Sequence, residues 1–562
     1  MKTLPLVLLA SSLVCSMNPL KAQAAEADWS DVHVIAPEGR ANIFELAPDE
    51  WQASQDRGKI HTISYPVTVT GVLIPKELLV KVMVQPYDNL VWKALLAAFR
   101  GIAGFRSFDD LEKFVGLNPI ADDDHNLYKI PRPDTQNFAN RYGTSFIETE
   151  HGTGITFSCA TCHVSQLFGV PIYGLQNRFP RANEFFIASK KALSLVPAHV
   201  AALSVGAGID AGIMLQNSKD SMGRIEARRP DADGLDTSLA HVALSLSHRS
   251  RDDYANFSTF YEHFPRAEPL RDTPADSKPG TWWNLKYKNK WLLDGSVQSG
   301  NPIFTNIMWN EIGRGTDLHK LERWLDENKQ TIDDLTAAVF AAEPPKYTDF
   351  FRADSIDLKK AKNGQALFAS NCSRCHGSYD KAWDASNAAG LSADDLIKTT
   401  KVRYFANTPV INVGTDPSRR LGMRSLEQLN DLAISQKHGI VVKAQNGYVP
   451  PPLVGIWARW PYFHNNSAPS LCAVLTRADD RPKIYVAGEA VNQTTDFDAY
   501  CNGYPSIEKA PVEWKKNPRR LYDTSREGMH NTGHDEGVFL KAGKEMYSPD
   551  QKKDIIEFLK TL

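Results

Sequence analysis

The chemically distinctive residues of this chain fall in two short stretches, Cys159-Ala160-Thr161-Cys162-His163 and Cys372-Ser373-Arg374-Cys375-His376. Two thiols three positions apart reach the two vinyl groups on one edge of a porphyrin. The adjacent histidine then offers a ring nitrogen to the iron, so Cys-x-x-Cys-His is the attachment pattern of c-type haem. A structural zinc site needs further cysteines or histidines at close spacing, and neither motif has them. A thioredoxin-type dithiol needs a βαβ setting, which the flanking sequence does not provide. Two copies therefore predict two covalently bound haem c groups, one on Cys159 and Cys162 and one on Cys372 and Cys375, with His163 and His376 as proximal iron ligands.

The elements that position the two motifs differ. Upstream of the second, residues 357–369 read as a helix in which Gly364, Phe368 and Cys372 follow one another at intervals of one turn. This Gly-x-x-x-aromatic-x-x-x-Cys pattern resembles the opening helix of small class I cytochromes c, where the glycine permits a close crossing by the C-terminal helix. That partner is legible in Ser548-Pro549-Asp550-Gln551, a capping box with proline at the first helical position, followed by an apolar stripe of Ile555, Ile556, Leu559 and Leu562. The first motif instead follows Gly152-Thr153-Gly154-Ile155, which reads as loop and strand. Ile63 to Leu73 alternates in a strand-like way through Val67, Val69 and Val72. The fold class expected is mainly α with long loops: two cytochrome c-like haem domains plus an N-terminal extension with a little β.

A chain of 562 residues suits two or three domains. The divisions expected are a signal peptide over 1–24, an extension over 25–145, a first haem domain over 146–350 and a second over 351–562. Lys2, the apolar run Leu4 to Val14 and the small-x-small site Ala22-Gln23-Ala24 carry the signal reading, and with it a periplasmic or secreted location. That run is too short to span a bilayer, and Cys15 lies in a poor lipidation context. Ala192 to Leu215 is apolar but contains Pro197, His199 and Asp210, so a buried helix pair is expected rather than a membrane span. A net charge of −2 gives no field for nucleic acid. Seven cysteines leave Cys472 and Cys501 once the motifs and Cys15 are set aside, and in an oxidising compartment they are expected to pair.

Longer stretches carry a resemblance. Pro451-Pro452-Leu453-Val454-Gly455-Ile456-Trp457 leads into Pro461-Tyr462-Phe463-His464-Asn465 and Ser467-Ala468-Pro469-Ser470-Leu471. This resembles a segment of the dihaem cytochrome c peroxidase superfamily, as do Gly414-Thr415-Asp416-Pro417 and Asn531-Thr532-Gly533-His534. Trp282-Trp283-Asn284-Leu285-Lys286, with Asp294-Gly295, is similar to the larger members, the branch of the haem-dependent rubber (polyisoprene) oxygenases. The resemblance covers about Gly152 to the C-terminus. Asn466 stands where glycine is usual, and asparagine tolerates the positive φ that such a turn needs. Cys472 stands where tyrosine is frequent.

The resemblance implies a division of labour. The haem on His376 transfers electrons, with His534 as sixth ligand and Met423 as its rival, while His464 orients structure nearby. The haem on His163 activates hydrogen peroxide or dioxygen, the latter with a hydrophobic organic substrate, and a small redox protein is a possible donor. Its distal group is open among His151, His199, His241, His248, Glu148 and Glu150. Trp282, Trp283, Trp291 and Trp309 are either relays between the haems or ordinary core. The competing readings are an electron carrier with both irons six-coordinate, and a haem-based sensor, for which no output domain is evident.

Overall fold

Asp357 caps the helix that the second motif requires. Its carboxylate accepts the Lys360 N–H, and the helix Leu358–Asn371 runs directly into Cys372. The C-terminal helix Pro549–Lys560 opens on the reciprocal bonds between Ser548 and Gln551 that its sequence predicts. The two helices cross at Gly364, where a Cβ would stand 2.0 Å from the Asp554 carbonyl oxygen and 2.9 Å from the Phe558 Cβ. Only a residue without a side chain allows that approach. Beneath the crossing, Ile555, Ile556, Phe558 and Leu559 are buried together with Phe368.

The first motif is entered from a sheet. Strands Thr144–Thr149 and Gly152–Phe157 form an antiparallel hairpin in which Phe146 faces Ile155, and Ile74–Pro75 extends its far edge. Ser158 then donates its N–H to the Gly143 carbonyl, and Cys159 follows. The computed structural model describes residues 36–83, 105–132, 139–194 and 197–562, so the signal reading lies outside the described residues. Within them the chain is mostly helix and loop with small sheets, as its pattern suggests.

Two expectations need correction. Residues 63–73 do not form a strand: the helix Pro48–Ile63 ends there, and only Ile74–Pro75 pairs. Pro66 removes one ladder donor. Side chains take three more: Tyr65, Gly71 and Leu73 donate their N–H groups to Ser145, Thr316 and Ser218. The alternation instead reflects insertion into the interior, with Val67 and Val72 buried. The apolar stretch near residue 200 forms the helices Ala198–Ser204 and Ile209–Gly223, which bury Ala202, Ala211 and Met214 but leave Val200, Leu203 and Ile209 60–70% exposed. The buried pair is therefore buried on one face only. No single described helix is long and apolar enough to cross a membrane.

The cores run across the expected domain boundaries. One joins Leu167, Trp282 and Trp283 to Phe368, Trp457 and Leu559. A second joins Phe44, Tyr65 and Val67 to Leu244, Trp309 and Met423. The helix Pro48–Ile63 lies along Lys329–Phe340, pinned where Ser54 and Arg57 both donate to Asp334, at 2.6 and 2.7 Å. Cys472 and Cys501 form a disulfide.

Two outcomes follow from this packing. Gly364→Ala will destabilise the chain by about 1–3 kcal/mol despite alanine's better helix propensity, because its methyl overlaps backbone that cannot yield; an unchanged urea midpoint would rule out the crossing. Cys472→Ser will lower stability by about 3 kcal/mol, the loop-closure value for a bridge of this span. The wild-type protein should lose the same amount on reduction.

Candidate functional site

Around the second motif the chain builds a cavity of about 550 Å³, within the range of cofactor sites. Cys375 and His376 donate their N–H groups to the Cys372 carbonyl, 3.1 and 3.0 Å away. That single helical turn sets both thiols and the imidazole at the cavity wall. Gly377 ends it at φ 74°, where a Cβ would meet the Arg403 carbonyl at 2.3 Å. Phe368, Leu453, Ile456 and Leu559 supply apolar lining. Burial pushes the Cys372 thiol up to about 12, the opposite of what a redox-active dithiol requires.

The two imidazoles in this cavity match an iron between them. His376 Nδ1 lies 2.8 Å from the Pro451 carbonyl, which fixes that nitrogen as the donor and leaves Nε2 for a metal. The ring of His534 lies across the cavity with its centre 6.4 Å from that of His376. A metal–imidazole nitrogen distance of about 2 Å places the centres of two rings on opposite sides of one ion about 6 Å apart. Burial pushes His534 down to about 3 and lowers His376 as well, so both are held as the neutral, metal-binding form.

His534 is delivered by two segments far apart in sequence. Gly533, at φ 71°, packs its backbone on Gly414, where a Cβ would lie 2.2 Å from the Gly414 carbonyl carbon. Thr532 donates to the Gly414 carbonyl at 3.0 Å, and the His534 N–H donates to Val413 at 2.8 Å. His534 itself holds φ 55°, a conformation that non-glycine residues adopt chiefly where the surroundings impose it. Asp416, fully buried, accepts the Ser418 N–H and bonds His530 Nδ1 at 2.7 Å, which anchors both segments.

The other residues weighed for this site stand apart. Met423 is fully buried in the core around Leu426 and does not line the cavity. His464 does line it, but its ring stacks on Tyr448 at 3.9 Å, consistent with a structural place. Asn466 adopts φ 62°, the turn conformation that glycine would otherwise supply. The disulfide lies just outside, with Leu471, Val474 and Leu475 of its loop in the cavity wall.

At the first motif, Cys162 and His163 again bond back to the Cys159 carbonyl, at 3.2 and 3.1 Å. Asn177 clamps the turn: its N–H donates to the Cys162 carbonyl and its amide to the Thr161 carbonyl, both at 2.8 Å. Burial pushes Cys159 up to about 11 and His163 down to about 4. Trp282 stacks on the His163 ring, 4.8 Å away at 28°, and Tyr173 meets Trp282 edge-on at 4.9 Å.

Most distal candidates are excluded by place. His151 sits at the hairpin tip beside Asp210, and His199 is exposed. His248 is satisfied by Glu226, at 2.9 Å, and the Glu262 carbonyl. Glu148 and Glu150 face solvent on the hairpin, Glu148 accepting from Thr153. His241 alone is buried with an unpartnered Nε2, against Phe186 at 4.6 Å. Trp291 and Trp309 belong to the second core, Trp291 donating to the Gly300 carbonyl.

Three groups escaped sequence reasoning. Glu112 is buried, accepts from Thr144 at 2.7 Å and is pushed up to about 7 by burial. It lines a second cavity of about 20 Å³ with Phe157, Phe185 and Phe186. Lys278 and Arg459 are buried in the wall of the first cavity. Arg459 carried a signal, a lone charge inside the apolar run Gly455 to Trp460; Glu112 and Lys278 carried none.

Comparison with known proteins falls on the same region. A family model described as RoxA-like, cytochrome c-like matches residues 447–486, the segment that forms the wall of the large cavity. Two Sinorhizobium fredii (strain NBRC 101917 / NGR234) proteins are similar, each named only as uncharacterized. Protein y4iJ is 29% identical over 323 residues, covering 47% of this chain and 48% of its own length. Protein y4iM is 28% identical over 227 residues, covering 37% and 49%. The chain spans about half the length of the curated relatives it matches. A cytochrome c-like domain of RoxA-like type is thus present, and it implies covalently bound haem c.

Proposed function

We propose that this chain is an exported dihaem c-type oxidoreductase of the dihaem peroxidase superfamily, in which the two motifs do different work. The observation that carries this reading is the difference between their histidines. His376 has a second imidazole at the spacing of a shared metal, whereas the ring of His163 is covered by Trp282. His376 and His534 would hold an iron between them, and a haem held so would supply electron transfer, at a potential lowered by the histidine pair. His163 would supply one ligand, and a haem held there would supply the activation of an oxidant. The disulfide fits an oxidising, extracytoplasmic compartment.

A haem at the first motif would supply the activation of dioxygen or peroxide. The chain's own residues there hold the ring and set its surroundings. Asn177 fixes the attachment turn, Trp282 fixes the His163 plane, and Phe157, Phe185 and Phe186 give the neighbouring interior an apolar character. The carboxylates Glu148 and Glu150 stand in solvent rather than at the motif, so neither is the acid–base group that peroxide cleavage needs. Glu112 and His241 are the buried groups beside this interior that could serve such a step, and it is the RoxA-like match that favours dioxygen and a hydrophobic organic substrate over peroxide.

Trp283 donates its indole N–H to the Val454 carbonyl at 2.9 Å, three residues from the carbonyl that holds His376. Trp282 stacks on His163 and its neighbour Trp283 bonds the segment that walls the other site, which together offer a route for electrons between them.

Two measurements test the reading. His534→Ala will convert the His376 haem from low-spin to high-spin in the visible and EPR spectra, while Met423→Leu will not; an unchanged low-spin signal in His534→Ala would rule out the pair. Purified protein will consume oxygen with polyisoprene latex and no added reductant, and His163→Ala will abolish the uptake. Absence of uptake together with rapid oxidation of a reduced small cytochrome by hydrogen peroxide would establish a peroxidase instead. Neither response, with both haems low-spin, would leave an electron carrier.

A further inference from the structure

The wall of the large cavity holds more positive charge than the protein balances. Lys278 and Arg459 both line it and are only 8% and 5% exposed; Arg178, at 5%, adjoins them. Every acceptor they find is a neutral carbonyl oxygen. Lys278 Nζ donates to Pro461 at 2.5 Å and Arg459 at 3.5 Å. Arg459 Nη1 donates to Pro452 at 3.3 Å and, with the Asn284 amide turned towards it, to that oxygen at 2.9 Å. Arg178 donates to Gln166, Ala458 and Trp460. The Arg459 Nε–H and the His464 Nε2 find no partner at all.

No carboxylate offsets these cations. None of the three lies within ion-pair distance of an acidic side chain among the described residues, and the acidic groups at and around the cavity are committed elsewhere: Glu536, which lines it, accepts the Ala542 and Gly543 N–H groups. Asp294 pairs with Arg419 at 2.8 Å, and Asp416 bonds His530 at 2.7 Å. Buried charges are stable only when paired, and grouping three of one sign raises the cost further. Burial, and then Arg459 and Arg178, hold the Lys278 ammonium well below its usual range. The arrangement of cations on neutral acceptors is that of an anion site.

A haem carries two carboxylates, its propionates, on the edge opposite the vinyl groups that bind Cys372 and Cys375. We infer that Lys278 and Arg459 are the residues that receive the propionates of the haem at the second motif, with its acidic edge turned inward against the segment that carries Trp282. The inference rests on the reading of the large cavity as a haem site. Two buried cations near an iron favour its reduced form, so they would offset part of the lowering that the His376–His534 pair imposes.

The test uses full-length protein loaded with haem, with the potential of the low-spin haem titrated spectroelectrochemically between pH 5.5 and 8.5. Haem content is measured in parallel as the pyridine haemochrome. In the wild type the potential should vary little over this range. Lys278→Met should lower it and introduce a pH dependence as an unpaired propionate takes up a proton. Arg459→Gln should do the same, and Arg459→Lys should restore most of the wild-type behaviour. If Arg459→Gln fails to accumulate, Lys278→Met carries the test. Potentials and pH profiles identical to wild type, at full haem content, would place the propionates elsewhere and overturn the inference. A wild-type chain without haem on Cys372 and Cys375 would instead overturn the reading of the cavity itself.

Discussion

Buried hydrogen bonds tie the surroundings of the two motifs together, and one of them is that of Trp283. The indole N–H of Trp283 donates to the Val454 carbonyl, with the ring fully buried against Gly455, whose missing side chain leaves room for it. On one side of that bond, Trp282 stacks on His163. On the other, Pro451 holds His376 and the Pro451–Trp457 segment walls the cavity. A buried indole donor must find an acceptor, and here the acceptor belongs to the other half of the chain. Each site thus depends on the other for the placement of its walls, and one hydrophobic core runs through both.

The same economy of buried polar groups explains the unusual backbone. His534 and Phe463 both hold positive φ and both lie in the cavity wall, their rings 5.7 Å apart. Such conformations persist where surrounding contacts over-determine them. Gly533 against Gly414 and Asp416 beneath His530 are those contacts. The segments Gly414–Pro417 and Asn531–His534 therefore form one structural unit whose product is the position of a single imidazole.

The asymmetry between the motifs has a plain origin. A helix leads into Cys372 and is crossed by the C-terminal helix, which leaves an open volume on the far side for His534 to face. A hairpin leads into Cys159, and the space around His163 is taken by Trp282 and Tyr173. The same five-residue pattern is thereby set in two surroundings, one with a second imidazole across an open cavity and one packed against aromatic rings.

What the sequence by itself determined is the chemistry that depends on local spacing. The attachment motifs, the capped helices around Gly364 and the C-terminal apolar stripe all act within a few turns of chain, where spacing translates directly into geometry. Cys472 and Cys501 were legible for a different reason, as the thiols left over in an oxidising compartment. The strand expected over Ile63 to Leu73 was not, because period-two alternation records burial, and side chains of Ser145, Thr316 and Ser218 supplied the bonds that a ladder would have made. Only the tertiary structure set His534 across a cavity from His376 and Met423 in another core, moved Glu148 and Glu150 into solvent, and brought Lys278 and Arg459 into one cavity wall. Those outcomes turn on which distant segments share a buried wall. That is settled by how cores close and how buried polar groups find partners, and no local pattern records it.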